Sequence, residues 1–356
     1  MKLKMKTDFK FWLNIITIAA LCFLVFISWD QIVDAFRELD GLNTWALLLM
    51  IPIQGISYYA VAQFYKTFFD KHGSHIRLRE FYKISLELNF VNHVFPSGGV
   101  SGFSYLSIRL KQLGIPTAKS TLAQLLRFCL TFVSFLVLLL FAVFALSLSA
   151  SAGGLIILIS SSIVLATIFG TAVGVYIIGS SSRIKSFVSW LPKAVNFIAK
   201  IFKRDKKSSI INIPKVESTL DDLHADYVVL RKDMNLVYTL LKWALLVNFS
   251  EVLTVYMVYV AFGELINPGA LIIAYAVANF AGLVAILPGG VGIYEGLMTA
   301  TLAAAGVPKA LALSATVIYR VLSIIFFIPI GYYFYHKALI SRSNKQNSED
   351  TNATVT

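Results

Sequence analysis

The chain has 356 residues, 57% of them hydrophobic and only 14% charged, with a mean hydropathy of +0.74. An ordinary soluble domain is about 45–50% apolar and about 25% charged, so a soluble enzyme, a disordered chain and a disulfide-built secreted domain are excluded. The net charge of +12 does not point to nucleic acid: no zinc finger or basic–aromatic ladder accompanies it, and basic residues collect in the cytoplasmic loops of membrane proteins.

Lys2, Lys4, Lys6 and Lys10 precede the apolar run 11–29. No small-residue cleavage site follows, so this reads as an uncleaved first span with its N-terminus in the cytoplasm. The acidic segment Asp30–Gly41 then lies outside, and a second span covers 44–66. Lys66, Lys71, Arg77, Arg79 and Lys83 place the next segment inside. The stretch Phe81–Gln112 carries Glu87, Asn89, Asn92 and His93, then Pro96-Ser97-Gly98-Gly99, then Arg109 and Lys111. Its two arms of about 14 residues are too short and polar to cross in contact with lipid. A re-entrant hairpin is expected, because broken backbone at membrane depth survives only within protein or beside water.

Spans are expected at 118–148 and 155–178. The loop 179–236 carries 11 Lys/Arg against 6 Asp/Glu, the strongest cytoplasmic signal in the chain. Within it, Ile184, Phe187, Val188, Leu191, Val195, Ile198 and Phe202 follow helical spacing. That amphipathic helix either lies on the membrane surface or packs under the bundle. A span at 237–262 leads outward. The apolar arm 269–287, the run Pro288-Gly289-Gly290-Val291-Gly292-Ile293-Tyr294-Glu295-Gly296 and an arm ending at Gly306 form a second broken hairpin. Residues 309–335 make the last span, and 336–356 are expected to be a disordered cytoplasmic tail, polar from Ser341 onward. Cys22 and Cys129 lie in apolar runs and read as small buried hydrophobes.

Residues 96–123 align with 288–315 without a gap. Pro96 matches Pro288, Gly98 matches Gly290, Leu110 matches Leu302, and Gly114-Ile115-Pro116 matches Gly306-Val307-Pro308. An Asn-Phe pair precedes each break, at Asn89-Phe90 and Asn279-Phe280. An arginine follows each in the next helix, at Arg127 and Arg320. Three spans separate the two breaks, and an odd number inverts the second copy. The expected fold is therefore all-α and polytopic: six spans and two re-entrant hairpins in two inverted halves, 11–178 and 237–335. Inverted repeats whose broken helices meet near the midplane are typical of transporters.

Asn92-His93-Val94-Phe95-Pro96-Ser97-Gly98-Gly99 and Leu287-Pro288-Gly289-Gly290-Val291-Gly292-Ile293-Tyr294-Glu295-Gly296 resemble the motifs of the lysylphosphatidylglycerol synthase transmembrane region. That region also occurs alone as flippase-like, or UPF0104, membrane proteins. The resemblance extends over about residues 10–335. It implies translocation of aminoacylated phosphatidylglycerol or a related lipid between leaflets. The full-length synthases carry a separate C-terminal domain for lysyl transfer, and the chain ends about 20 residues after its last span, so lysyl transfer is not expected here.

An ionisable residue at membrane depth is expensive, so its default reading is functional. Glu87, His93, Arg127, Glu251, Glu295 and Arg320 qualify. Arg127 and Arg320 either hold a lipid phosphate alternately from the two sides, through planar two-pronged hydrogen bonding, or pair with Glu87, Glu251 or Glu295 to hold the bundle together. Gly98, Gly99, Gly290 and Gly292 permit sharp turns, and the N–H groups they free are candidate anion donors. Glu295, early in a half-helix, closes the site, balances Arg320 or carries a coupling proton. Asn92 and His93 line the first break, and His93 either titrates or is hydrogen-bonded filler.

No nucleotide-binding, metal or cofactor motif is present, so no cofactor is expected. Membrane lipids are the expected partners, in the cell membrane, with both termini cytoplasmic. The expected function is lipid flipping or scrambling of an anionic, aminoacylated or polyprenyl-phosphate lipid. Two alternatives stay open: a lipid-modifying enzyme, phosphatidylglycerol lysyltransferase by family name, and a non-transporting membrane partner of a glycosyltransferase.

Overall fold

The computed structural model describes residues 41–95, 100–147, 233–282 and 292–353, with isolated positions between 26 and 37 and short pieces between 173 and 189. Within those four stretches the regular structure is all helical. The helices are α1 (Thr44–Lys71), α2 (Leu78–Val94), α3 (Val100–Gln112), α4 (Thr117–Ser147), α5 (Met234–Ala261), α6 (Pro268–Gly282), α7 (Ile293–Ala304) and α8 (Lys309–Ala353). Four of them, α1, α4, α5 and α8, are long and apolar enough to cross a membrane.

The two halves are built alike, and the likeness begins before the aligned motifs. Asn43 caps α1 by accepting the Trp45 and Ala46 N–H groups, and Asp233 caps α5 by accepting that of Leu236. Both helices are 28 residues long. Each stops in the same way, two residues before a glycine in the left-handed region, Gly73 (φ 76°) and Gly263 (φ 77°). That conformation is strained for any residue with a Cβ. The short connections after the hairpins repeat as well, through Gly114 (φ 81°) and Gly306 (φ 87°).

Equivalent helices α1 and α5 run antiparallel, tied at both ends. The Asn43 N–H donates to the Ala261 carbonyl at 3.0 Å, joining the start of α1 to the end of α5. At the other end Lys71 Nζ lies 2.9 Å from Asp233 Oδ2. Exchanging the halves also maps packing onto packing: α2 lies on α8 as α6 lies on α4, and α3 on α4 as α7 on α8. The repeat is therefore inverted, as parity requires.

Over the described residues, at 1.5 Å per residue, α2 and α3 rise about 26 and 20 Å, and α6 and α7 about 22 and 18 Å, each less than a hydrocarbon layer of about 30 Å. The first hairpin returns to the face it left. Lys119 Nζ, at the start of α4, donates to the His72 carbonyl at 2.8 Å, so the segments on either side of the hairpin share one face. Near that face Arg109 of α3 also reaches Glu80 of α2 at 3.7 Å. On the opposite face Asn267 Nδ2, just before α6, donates to the Ala145 carbonyl of α4 at 3.3 Å. The second hairpin thus begins from the other side.

Two expectations are corrected. The segment 341–353 continues α8 as helix instead of forming a disordered tail. Neither Gly nor Pro occurs after Gly331, so no residue there breaks the turn. Cys129 is exposed beside the exposed Phe128 on the outer side of α4, not buried. The expected spans at 11–29 and 155–178 and most of the basic loop lie outside the described residues. Of the amphipathic segment, 182–186 are helical and Ile184 is buried.

Candidate functional site

The Pro-Gly-Gly segments themselves, with Gly98, Gly99 and Gly290, lie outside the described residues. The chain becomes well defined again just after the second break. Gly292 caps α7 at φ 87°, and its N–H donates to Glu295 Oε2 at 2.7 Å. The carboxylate thereby satisfies one of the orphan donors at a helix start and is favoured by the dipole. Its other oxygen accepts from Arg320 Nη1 of α8. Both side chains are buried, Glu295 at 3% and Arg320 at 8% exposure. The Arg320 guanidinium also stands 5.1 Å over the ring of Tyr294. One glutamate thus holds the loop, the half-helix and the span together, so Arg320 takes the pairing alternative.

Arg127 is placed differently. It is half-buried, donates to the Tyr65 hydroxyl at 3.1 Å and lies 5.5 Å from that ring's centre. Among the described residues no carboxylate lies within ion-pair distance of it. The repeat explains why: the position equivalent to Glu295 is occupied by Phe103. Both arginines sit about 15 Å along their helices from opposite faces, near the middle of the bundle.

A third ionisable residue, Glu251, lies on α5. Its Oε1 accepts from Gln54 Nε2 and from Ser57 Oγ of α1, each at 2.7 Å. Arg127 acts on Glu251 electrostatically without contacting it. Glu251 in turn acts on the phenols of Tyr58, Tyr275, Tyr294 and Tyr319, and Arg320 acts on the last two. Helices from both halves therefore converge on one polar cluster near the midplane. Gln54, Ser57 and Tyr65 were not singled out by sequence. The legible signal was Gln54 and Ser57, three apart on one helical face within an apolar run.

The first hairpin contributes less to this cluster. Glu87 is spent locally, accepting from Arg109 Nε at 3.1 Å and the Tyr105 hydroxyl at 2.8 Å. His93 Nδ1 lies 2.9 Å from the Asn89 carbonyl, as a hydrogen-bonded filler would, yet Arg320 of the other half acts on it electrostatically. Asn92 is exposed and lays its amide on Gly102, where any Cβ would overlap it. Asn248 ties α5 to α4 through the Thr131 carbonyl at 3.2 Å and the Ser134 hydroxyl.

The model of the lysylphosphatidylglycerol synthase TM region matches residues 11–331, and the chain belongs to this family. Two UPF0104 membrane proteins of Methanothermobacter thermautotrophicus are similar to it. One is 28% identical over 109 residues, covering 31% of this chain and 32% of the relative. The other is 34% identical over 98 residues, covering 28% of each. The chain matches about a third of the length of these curated relatives. It is a membrane protein, and the motifs Asn92–Gly99 and Leu287–Gly296 both fall inside the family match.

Proposed function

We propose that this member of the lysylphosphatidylglycerol synthase transmembrane-region family moves a phosphate-bearing lipid between membrane leaflets. The observation that carries the reading is Arg127: a half-buried guanidinium near the midplane that donates to a phenol, with no carboxylate in ion-pair contact among the described residues. A planar guanidinium in that position suits a phosphate oxygen pair, and a cation left without an anion at membrane depth is expensive. The antiparallel pairing of α1 with α5 supports alternation, since exchanging the conformations of inverted halves converts an inward-open state into an outward-open one.

In this reading Arg127 receives the phosphate, and Arg320 serves it only when Glu295 lets go. His93, Asn92 and the N–H groups near Gly98, Gly99, Gly290 and Gly292 line the path, with α1's end and the α3–α4 connection on the cytoplasmic side. The cargo is an anionic, aminoacylated or polyprenyl-phosphate lipid. Leaflet exchange in proteoliposomes tests it, with phosphatidylglycerol, lysyl-phosphatidylglycerol and a polyprenyl phosphate in parallel. Faster exchange of one lipid, lost in Arg127→Gln, is expected. Equal rates in Arg127→Gln, or no exchange from folded protein, would overturn it.

A further inference from the structure

Glu251 is the carboxyl of the central cluster with no cation in contact. Its hydrogen-bond donors among the described residues are the neutral Gln54 and Ser57, and among those residues no Lys, Arg or His lies within ion-pair distance. Glu251 is half-buried, and at membrane depth a carboxylate with no counter-charge in contact is disfavoured unless it holds a proton. A second observation points to that proton. Gln54 is 95% buried, at 5% exposure, and while its Nε2 donates to Glu251, its Oε1 has no hydrogen-bond partner. The Tyr58 hydroxyl, one turn along α1, is close enough to interact with the Gln54 amide and still leaves Oε1 without a partner. An unmet buried acceptor costs about 1–3 kcal/mol. The missing donor is what a carboxylic acid brings: an acid and an amide pair face to face, each donating once.

We propose that Glu251 is a proton-binding site whose protonation accompanies the binding of an anionic lipid phosphate, making transport proton-coupled. Around it stand Gln54, Ser57 and Tyr58 on α1, Arg127 on α4, Tyr275 on α6, Tyr294 on α7 and Tyr319 on α8, and Arg320 of α8 acts on the same Tyr294 and Tyr319. With Glu251 ionised, Arg127 and Arg320 are balanced by Glu251 and Glu295. A proton on Glu251 leaves one positive charge in excess, which the phosphate neutralises. Proton and phosphate therefore favour each other's binding, and the coupling is reciprocal. One proton and one lipid anion cross together, so no net charge moves. The cargo rests on the lipid reading above; the proton site does not.

The experiment is phosphatidylglycerol exchange in proteoliposomes with a pH step across the membrane. One pH unit drives up to about tenfold leaflet asymmetry at one proton per lipid. The wild type is expected to develop that asymmetry, whatever the membrane potential. Glu251→Gln keeps an acceptor for Gln54 and Ser57, and is expected to exchange the lipid without asymmetry. Symmetric exchange by the wild type, or asymmetry persisting in Glu251→Gln, would overturn the coupling while leaving translocation standing. Infrared difference spectroscopy of the purified protein reads the site directly, with or without transport. A protonated-carboxyl band that titrates in the wild type, is absent in Glu251→Gln and returns in Glu251→Asp is expected. A wild-type spectrum with no such band would overturn the proton site.

Discussion

Glu295 holds two donors at once, the Gly292 N–H and the Arg320 guanidinium. Removing either member of such a pair strands a buried charge, which costs about 3–5 kcal/mol. Arg320→Gln and Glu295→Gln are each expected to lower thermal stability in detergent by that order. The double variant is expected to recover most of it, because neither charge is then left alone. A double variant as unstable as the sum of the singles would contradict the pairing. Arg127 lacks this bond, so Arg127→Gln is expected to melt within a few degrees of the wild type. A pairing of Arg320 with Glu295 stood in the sequence as one alternative, from their charges and from the place of Glu295 early in a half-helix. The partner choice of Arg127 was not legible, because it depends on Tyr65, an aromatic residue in an apolar span that nothing in the local sequence distinguishes. Gln54 was equally hidden: its importance lies in an acceptor left unmet beside a helix nearly 200 residues away.

At the scale of the element, the antiparallel pair α1 and α5 is the seam between the halves. Its ends carry polar ties, and one of them titrates outside the membrane. The Lys71 ammonium and the Leu236 N–H, both donating to Asp233, hold its carboxyl below the usual range. A carboxylate depressed in the folded state contributes fully above its unfolded value, near pH 4, and its contribution disappears as pH falls through the folded value. Melting curves from pH 7 down to pH 3 are expected to show an acid loss in the wild type that is smaller in Asp233→Asn, which keeps an acceptor for the cap. Equal acid losses would place the sensitive group elsewhere. The bounds of α1 and α5 were readable from apolar length and end signals. The hairpins were readable because Pro and Gly interrupt both at matching positions. The helical course of 341–353 was not, since a polar run gives no face to bury and only the absence of a breaker favours helix.

For the whole molecule, inversion follows from counting spans in the sequence and is visible in the structure as antiparallel α1 and α5. Orientation in the membrane rests on the basic loops. With Cys22 and Cys129 replaced, a single cysteine at His75 is expected to label from the cytoplasm and one at Glu264 from outside. Labelling of both from one side would break the inverted topology itself. The meeting of the halves at Glu251 was not legible, because it requires α1, α4, α5, α7 and α8 to be placed in space. Lipid movement is what this architecture is argued to serve. The most direct measurement is the initial rate at which labelled phosphatidylglycerol becomes accessible from the opposite leaflet, in vesicles with wild-type protein, Arg127→Gln or no protein. The wild type is predicted to accelerate exchange well above empty vesicles, with Arg127→Gln at the empty-vesicle rate. A folded wild type no faster than empty vesicles, or an Arg127→Gln variant as fast as the wild type, would contradict the account.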